Sequence, residues 1–330
     1  MLYPMKFMPI FKEKIWGGQK IKDVLHKDFS PLPNCGESWE VSGVEGNQTM
    51  VANGFLAENE LNELVEVYMG DLVGEKVYDR YGNQFPLLIK CIDAADKLSI
   101  QVHPNDELAR RRHNTNGKTE MWYVLQADED ATITFDFEKA ESKESYLEHV
   151  AANTLFDILH TTKVKAGDVF FIPAGKVHAI GKGVLLAEIQ QTSDITYRIF
   201  DFNRVDSDGQ PRQLHTAEAT DAINFEDHNH ETVSYQPKMN DIAPVVVSPY
   251  FTTNIIQLNR TIERVLAKID SFVIYMCVEG EVDIMGEDHI EYLKMGECVL
   301  IPALFDDIRI TPRTAEAKLL ETYIEITAEE

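Results

Sequence analysis

From Phe85 onward the sequence is cut into short apolar runs bounded by Gly, Asp, Asn or Pro. The runs Pro86–Ile92, Leu98–Val102, Met121–Leu125, Ala131–Phe135, Val169–Ile172 and Val184–Ile189 are too short for core helices and rich in β-branched and aromatic residues. They read as strands, and strands at such close spacing describe an antiparallel sandwich or barrel. The pattern then recurs. Val164–Ala174 lies on Leu293–Ala303 with a glycine, an acid, an apolar run and Pro-Ala in register, so that Gly167, Asp168 and Pro173 meet Gly296, Glu297 and Pro302. Upstream, Met121–Asp128 finds a weaker counterpart in Phe272–Glu281. A repeat of this kind means that one β unit is built twice.

Helical signals are few. Between Leu56 and Tyr81, the residues Leu61, Leu64, Val65, Tyr68, Met69 and Leu72 recur at helical spacing among acids, which predicts a small helical insertion over 56–81. Ser142–Leu159 and a shorter His215–Phe225 also read as helices, and the polar stretch Asn105–Asn116 as a loop. Tyr235–Pro244 carries two prolines and little periodicity, so the boundary is expected there. The resulting division is a first domain over 1–238 and a second over 239–330.

The first copy of the repeat carries chemistry that the second lacks. Gly167-x5-Pro173-x-Gly175-x2-His178 closes a turn, runs through a strand, turns again and returns a histidine to the barrel mouth. The second copy has Leu304-Phe305-Asp306 in place of that ending, and its histidine is missing. Seventy-five residues before His178 stands His103, in Ser99-Ile-Gln101-Val-His103. Residues two apart on a strand face one side, so Ser99, Gln101 and His103 point inward together. With Glu120, seventeen residues on, these segments supply two imidazoles, one carboxylate and one carboxamide to a single divalent ion. His113 reads as solvated rather than ligating, and so does His228-Asn-His230 in its acidic loop. Trp16 and Trp39 are candidate pocket walls, although tryptophan in a sandwich is more often core.

The Gly-x5-Pro-x-Gly-x2-His segment resembles the second signature of cupin barrels, so the expected fold is mainly β: two cupin-like β-barrel (jelly-roll) domains with a small helical insertion. Leu98–Pro104, Gly117-Lys118-Thr119-Glu120-Met-Trp-Tyr, Pro173–Ala179 and Ser193-Asp194-Ile-Thr-Tyr-Arg198 together resemble type I mannose-6-phosphate isomerases in their shorter bacterial form. The resemblance runs from Trp16-Gly-Gly and Gly36–Glu40 to Arg204, and fits the C-terminal domain more loosely. It implies interconversion of mannose 6-phosphate and fructose 6-phosphate with one zinc ion per chain on Gln101, His103, Glu120 and His178. It implies an active-site role for Arg198, phosphate contacts for Ser99 and Lys118, and pocket positions for Lys90, Glu188 and Asp194. Where longer relatives carry tyrosine two residues after the second histidine, this chain has Ile180. Moving a proton between adjacent carbons through an enediol needs an electrophile, which zinc and Arg198 would supply, and a base. Glu188 or a metal-bound water can serve as that base. Two histidines and a carboxylate also describe a non-haem iron oxygenase, and a non-catalytic sugar-binding cupin is the third reading.

Composition narrows the partners. A net charge of −24 over 330 residues argues against nucleic acid and anionic membrane surfaces. A phosphorylated sugar would then need a local cationic pocket, which singles out Lys90, Lys118, Arg198 and Arg204. No apolar run approaches the ~18 residues of a membrane span. Cys35, Cys91, Cys277 and Cys298 are scattered without a CxxC pair, and the N-terminal residues show no export pattern. The expectation is a cytoplasmic protein with reduced thiols.

Overall fold

The computed structural model describes residues 2–205, 209–226 and 230–326. The chain forms two compact units, one of Phe11–Ser38 and Cys91–Thr232, the other of Met1–Ile10, Trp39–Lys90 and Val233–Glu330. The strands Glu37–Val44 and Leu87–Ala94 each carry the chain from one unit to the other.

In the first unit, one sheet runs in the order Tyr197–Phe200, Ile100–Val102, His178–Ile180, Thr132–Phe137, Leu159–Lys163. Facing it, Glu120–Ala127 lies between Val184–Gln191 and Val169–Ile172. Alternate residues of both layers, among them Trp122, Val124, Phe170, Ile172, Leu186, Ile133, Phe135 and Ile180, fill one apolar core. The opposite face of the Ile100–Val102 strand packs Ile100 and Val102 against Tyr146 and Leu155.

The second unit repeats this order. Ala317–Tyr323, Val273–Glu279 and Cys298–Ile301 are neighbours in one sheet, and Ile262–Val265, Asp307–Pro312, Glu281–Gly286 and His289–Lys294 in the other. The repeated Gly-acid pair makes the same turn in both. Gly167 donates its N–H to the Val124 carbonyl at 2.8 Å while Val124 donates to the Asp168 carbonyl at 2.9 Å. Gly296 donates to Cys277 at 2.8 Å and Cys277 to Glu297 at 3.0 Å. The two glycines sit at φ +89° and +85°, where a side chain is disfavoured, which accounts for their identity. Strand register also corrects the weaker half of the repeat. Trp122 pairs with Phe170, and Tyr275 with Val299, so Tyr275 rather than Val273 stands in the place of Trp122. The shift is two residues, which leaves every side chain on its face.

The helical insertion is present as Leu61–Val73 and Glu75–Tyr81. Two helical expectations change. Ser142–Leu159 is a helix only over Lys143–Ala152, because Asn153 turns left-handed at φ 56° and ends it before a 3-10 turn and a strand. Asp106–His113, read as a loop, is a helix. It has no apolar periodicity to announce it. Its caps and charges form it instead: Asn105 accepts the Leu108 N–H at 2.9 Å, Asp106 and Glu107 open the first turn, and arginines and His113 close the last.

Candidate active site

Gln101 has His178 as its pairing partner on one side and Arg198 on the other. Paired residues project to the same face, so these three form a row across one sheet. Glu120 and Trp122 occupy the facing sheet two residues apart, and Trp122 pairs with Glu188. His103 ends the inward series begun by Ser99 and Gln101, just beyond its strand.

One ligand atom from each of His103, Glu120 and His178 lies within 4.8 Å of the others, and all three residues are buried. The two Nε2 atoms are 3.1 Å apart, and the Glu120 oxygens lie 3.5 Å from His103 Nε2 and 3.4 Å from His178 Nε2. Each Nδ1 faces a carbonyl, His103 that of Ile195 at 2.9 Å and His178 that of Lys176 at 2.8 Å. A carbonyl only accepts, so each Nδ1 carries a hydrogen and each Nε2 faces the other ring. Burial, foremost, holds the His178 pKa down to about 4; the Lys176 carbonyl opposes this and the Lys118 charge adds to it. His178 is therefore a neutral base at pH 7. Two imidazole Nε2 atoms and a buried carboxylate converging on one point are the donor set of a divalent cation, and the residues fit such an ion. The Gln101 amide nitrogen lies 3.2 Å from His178 Nε2 and donates to it.

Residues 5–138 match the family described as phosphomannose isomerase type I, catalytic domain, and residues 241–318 the mannose-6-phosphate isomerase cupin domain. The chain is 34% identical over 302 residues to the mannose-6-phosphate isomerase ManA of Bacillus subtilis, covering 91% of this chain and 93% of that one. It is 33% identical over 303 residues to the mannose-6-phosphate isomerase of Streptococcus mutans, covering 92% and 93%. Its fold is similar to the crystal structure of the Bacillus subtilis mannose 6-phosphate isomerase, with a TM-score of 0.88 at 32% identity over 98% of this chain and 100% of that one. The chain belongs to the type I phosphomannose isomerase family.

In this member of the type I phosphomannose isomerases, five of the residues singled out from sequence come together: Gln101, His103, Glu120, His178 and Lys118. The Lys118 ammonium is 3.2 Å from Glu120 Oε2, with only 6% of its side chain exposed. Ser99 is buried two residues before Gln101 on the same face. Glu188 accepts the Trp122 indole N–H at 2.9 Å, and that indole meets the His178 ring edge-on at a 5.3 Å centroid distance. Arg198 donates from Nη1 to the Gln213 carbonyl at 2.9 Å, while its buried Nε has no hydrogen-bond partner among the described residues. Burial first, then the nearby charge of Arg212, lowers its pKa. Arg204 and Arg212 are both clamped to buried Asp201, at 2.5 and 2.7 Å.

Trp16 is buried in the core beside Trp122 and Phe170, and Asp194 is exposed. Lys90 belongs to the other unit, where its ammonium lies 5.2 Å from the Trp39 ring centroid. His113 is exposed and meets the Tyr197 hydroxyl at 2.7 Å. His228 lies outside the described residues, while His230 stacks on His160 at 4.1 Å. Sequence reasoning passed over Trp122, Arg212, Lys176 and Asp136. Trp122 and Lys176 lie inside segments already quoted, whereas nothing local marks Asp136.

Proposed function

We propose that this chain interconverts mannose 6-phosphate and fructose 6-phosphate through an enediol, with one zinc ion held by His103, Glu120, His178 and Gln101. The observation that carries this reading is the convergence of two imidazole nitrogens and a buried carboxylate, with Arg198 in the same row as Gln101. Bound there, zinc would supply Lewis acidity to the substrate oxygens.

The remaining work falls to side chains. Arg198 keeps its charge in any ordinary setting, so its role is to stabilise negative charge on the reacting oxygens rather than to take a proton. Glu188, oriented by the Trp122 indole, is the carboxylate assigned to take the proton from C2 of the aldose and return it to C1. Ser99 and Lys118 are assigned to the substrate phosphate, with Asp194 and Trp16 as further contacts. Burial of the cluster excludes water, which strengthens each of these interactions. The four cysteines are free and buried, which suits a reducing compartment, and we assign the cytoplasm.

The test is direct. Purified protein is incubated with mannose 6-phosphate, and fructose 6-phosphate is followed in zinc-loaded protein and after chelation. Conversion that stops with chelator and returns with zinc is expected. A zinc-loaded protein that forms no fructose 6-phosphate sinks the proposal.

A further inference from the structure

The His178 ring leans on the Lys176 carbonyl, and Lys176 is itself half of a buried ion pair outside the ligand set. Its ammonium lies 2.8 Å from Asp136 Oδ2, with side-chain exposures of 5% and 2%, and 4.9 Å from the Phe135 ring centroid. Burying two ions strips both of water, and a well-packed apolar pair often serves stability as well or better. Stability alone is a poor reason for a charged pair at this place.

The backbone of Asp136 points the same way. It adopts φ +70°, a region that residues with a side chain seldom occupy. The ladder between Thr132–Phe137 and Leu159–Lys163 shifts register between Thr134 and Phe137. A bulge of this kind re-aims a side chain, here the carboxylate that meets Lys176. Asp136 also donates its own N–H to the Val177 carbonyl at 2.7 Å, so it grips the Lys176–Val177 segment twice. That segment runs from Gly175, whose N–H is bonded to the His103 carbonyl at 2.9 Å, to His178, whose strand partner is Phe135.

We infer that Asp136 and Lys176 are positioning residues for the metal centre. Their ion pair holds the turn so that the Lys176 carbonyl keeps the hydrogen on His178 Nδ1 and aims Nε2 at the point where His103 and Glu120 converge. Neither residue is assigned a substrate contact. The inference rests on reading His178 as a metal ligand and stands independently of the reaction catalysed. Partners that orient ligating histidines typically change metal affinity by about 10- to 100-fold.

The experiment measures zinc affinity by competition with a chromophoric chelator, the visible spectrum of cobalt(II)-loaded protein, and thermal unfolding of metal-free protein. It compares wild type, Lys176→Arg, Lys176→Met and the double variant Asp136→Asn/Lys176→Met. The single Lys176→Met leaves a buried carboxylate without its counter-ion and can fail to fold. The double variant removes both charges, and asparagine tolerates the left-handed backbone. Expected is a double variant with near-wild-type Tm, zinc binding weakened about tenfold and altered cobalt bands, while Lys176→Arg keeps wild-type affinity. A double variant that binds zinc as tightly as wild type with unchanged bands overturns the inference. One that cannot fold overturns it too, since the pair is then a stability element. Wild-type protein that binds no zinc would remove the metal reading beneath it.

Discussion

Two buried polar clusters occupy matching places in the two β units and solve the same problem differently. In the first unit Trp122 pairs across the sheet with Glu188 and donates its indole N–H to it; in the second Tyr275 pairs with Glu321 and donates its hydroxyl at 2.7 Å. There the likeness stops. Glu321 is fully buried and is held by Asn254 at 2.9 Å and by both Nε and Nη2 of Arg264, at 2.7 and 3.0 Å. The second barrel thus carries its own cation. The first brings His103, His178 and Glu120 donor atoms to one point, where they could hold a metal ion, with the Lys118 ammonium 3.2 Å from Glu120. An aromatic donor beside a glutamate is therefore a feature of the repeated unit, whereas the first barrel adds His103, His178 and Glu120 and the second an arginine, with Val273 at the register position of Glu120.

The comparison can be broken most forcefully at His178. His178→Ala is expected to lose zinc and to lower kcat/KM about 10³-fold or more, the upper range for removing a preorganised electrostatic group, as read by metal analysis and progress curves. Retained zinc would mean that the cluster is misread. In the second barrel, Arg264→Met strands a buried carboxylate, and urea unfolding should show a loss of about 3–5 kcal/mol, most of it regained in Arg264→Met/Glu321→Met. Zinc content per folded chain should not change, and a single variant as stable as wild type would end the idea of an internal cation.

Acid separates the clusters further, because Arg264 is already protonated while His178 gains a proton as the pH falls. The folded pKa of His178 is about 4 against an ordinary 6.5, so between these values the unfolded chain binds a proton here that the folded chain refuses. The contribution is fully present above pH 6.5 and is lost as the pH falls to 4, about 3 kcal/mol in all. Urea unfolding of metal-free wild type from pH 7 to 4 should fall more steeply than that of metal-free His178→Gln, and parallel curves would refute the assignment. The smallest effect is at Arg198. Arg198→Ala should lower kcat about 10²-fold while zinc content holds, whereas equal loss of both would make the arginine a support of the metal centre.

The strands, the repeat and the meeting of His103, Glu120 and His178 were legible because they rest on local patterns: alternation, turn residues and fixed spacing. Gly167 and Gly296 are an example, since the left-handed turn each makes restricts the residue type wherever the unit recurs. The Asp106–His113 helix was not legible by periodicity, because caps and charge rather than an apolar stripe hold it. The pairing of Trp122 with Glu188 and of Lys176 with Asp136 depends on strand register and on a bulge, and neither is written in the neighbouring residues. The Arg264–Glu321 pair spans 57 positions and was passed over for the same reason.

Native mass spectrometry of the zinc-loaded chain addresses the asymmetry of the two barrels most directly. The account predicts one zinc ion per wild-type chain, none in His178→Ala and one in Arg264→Met. Two zinc ions in the wild type, or one retained in His178→Ala, would contradict it.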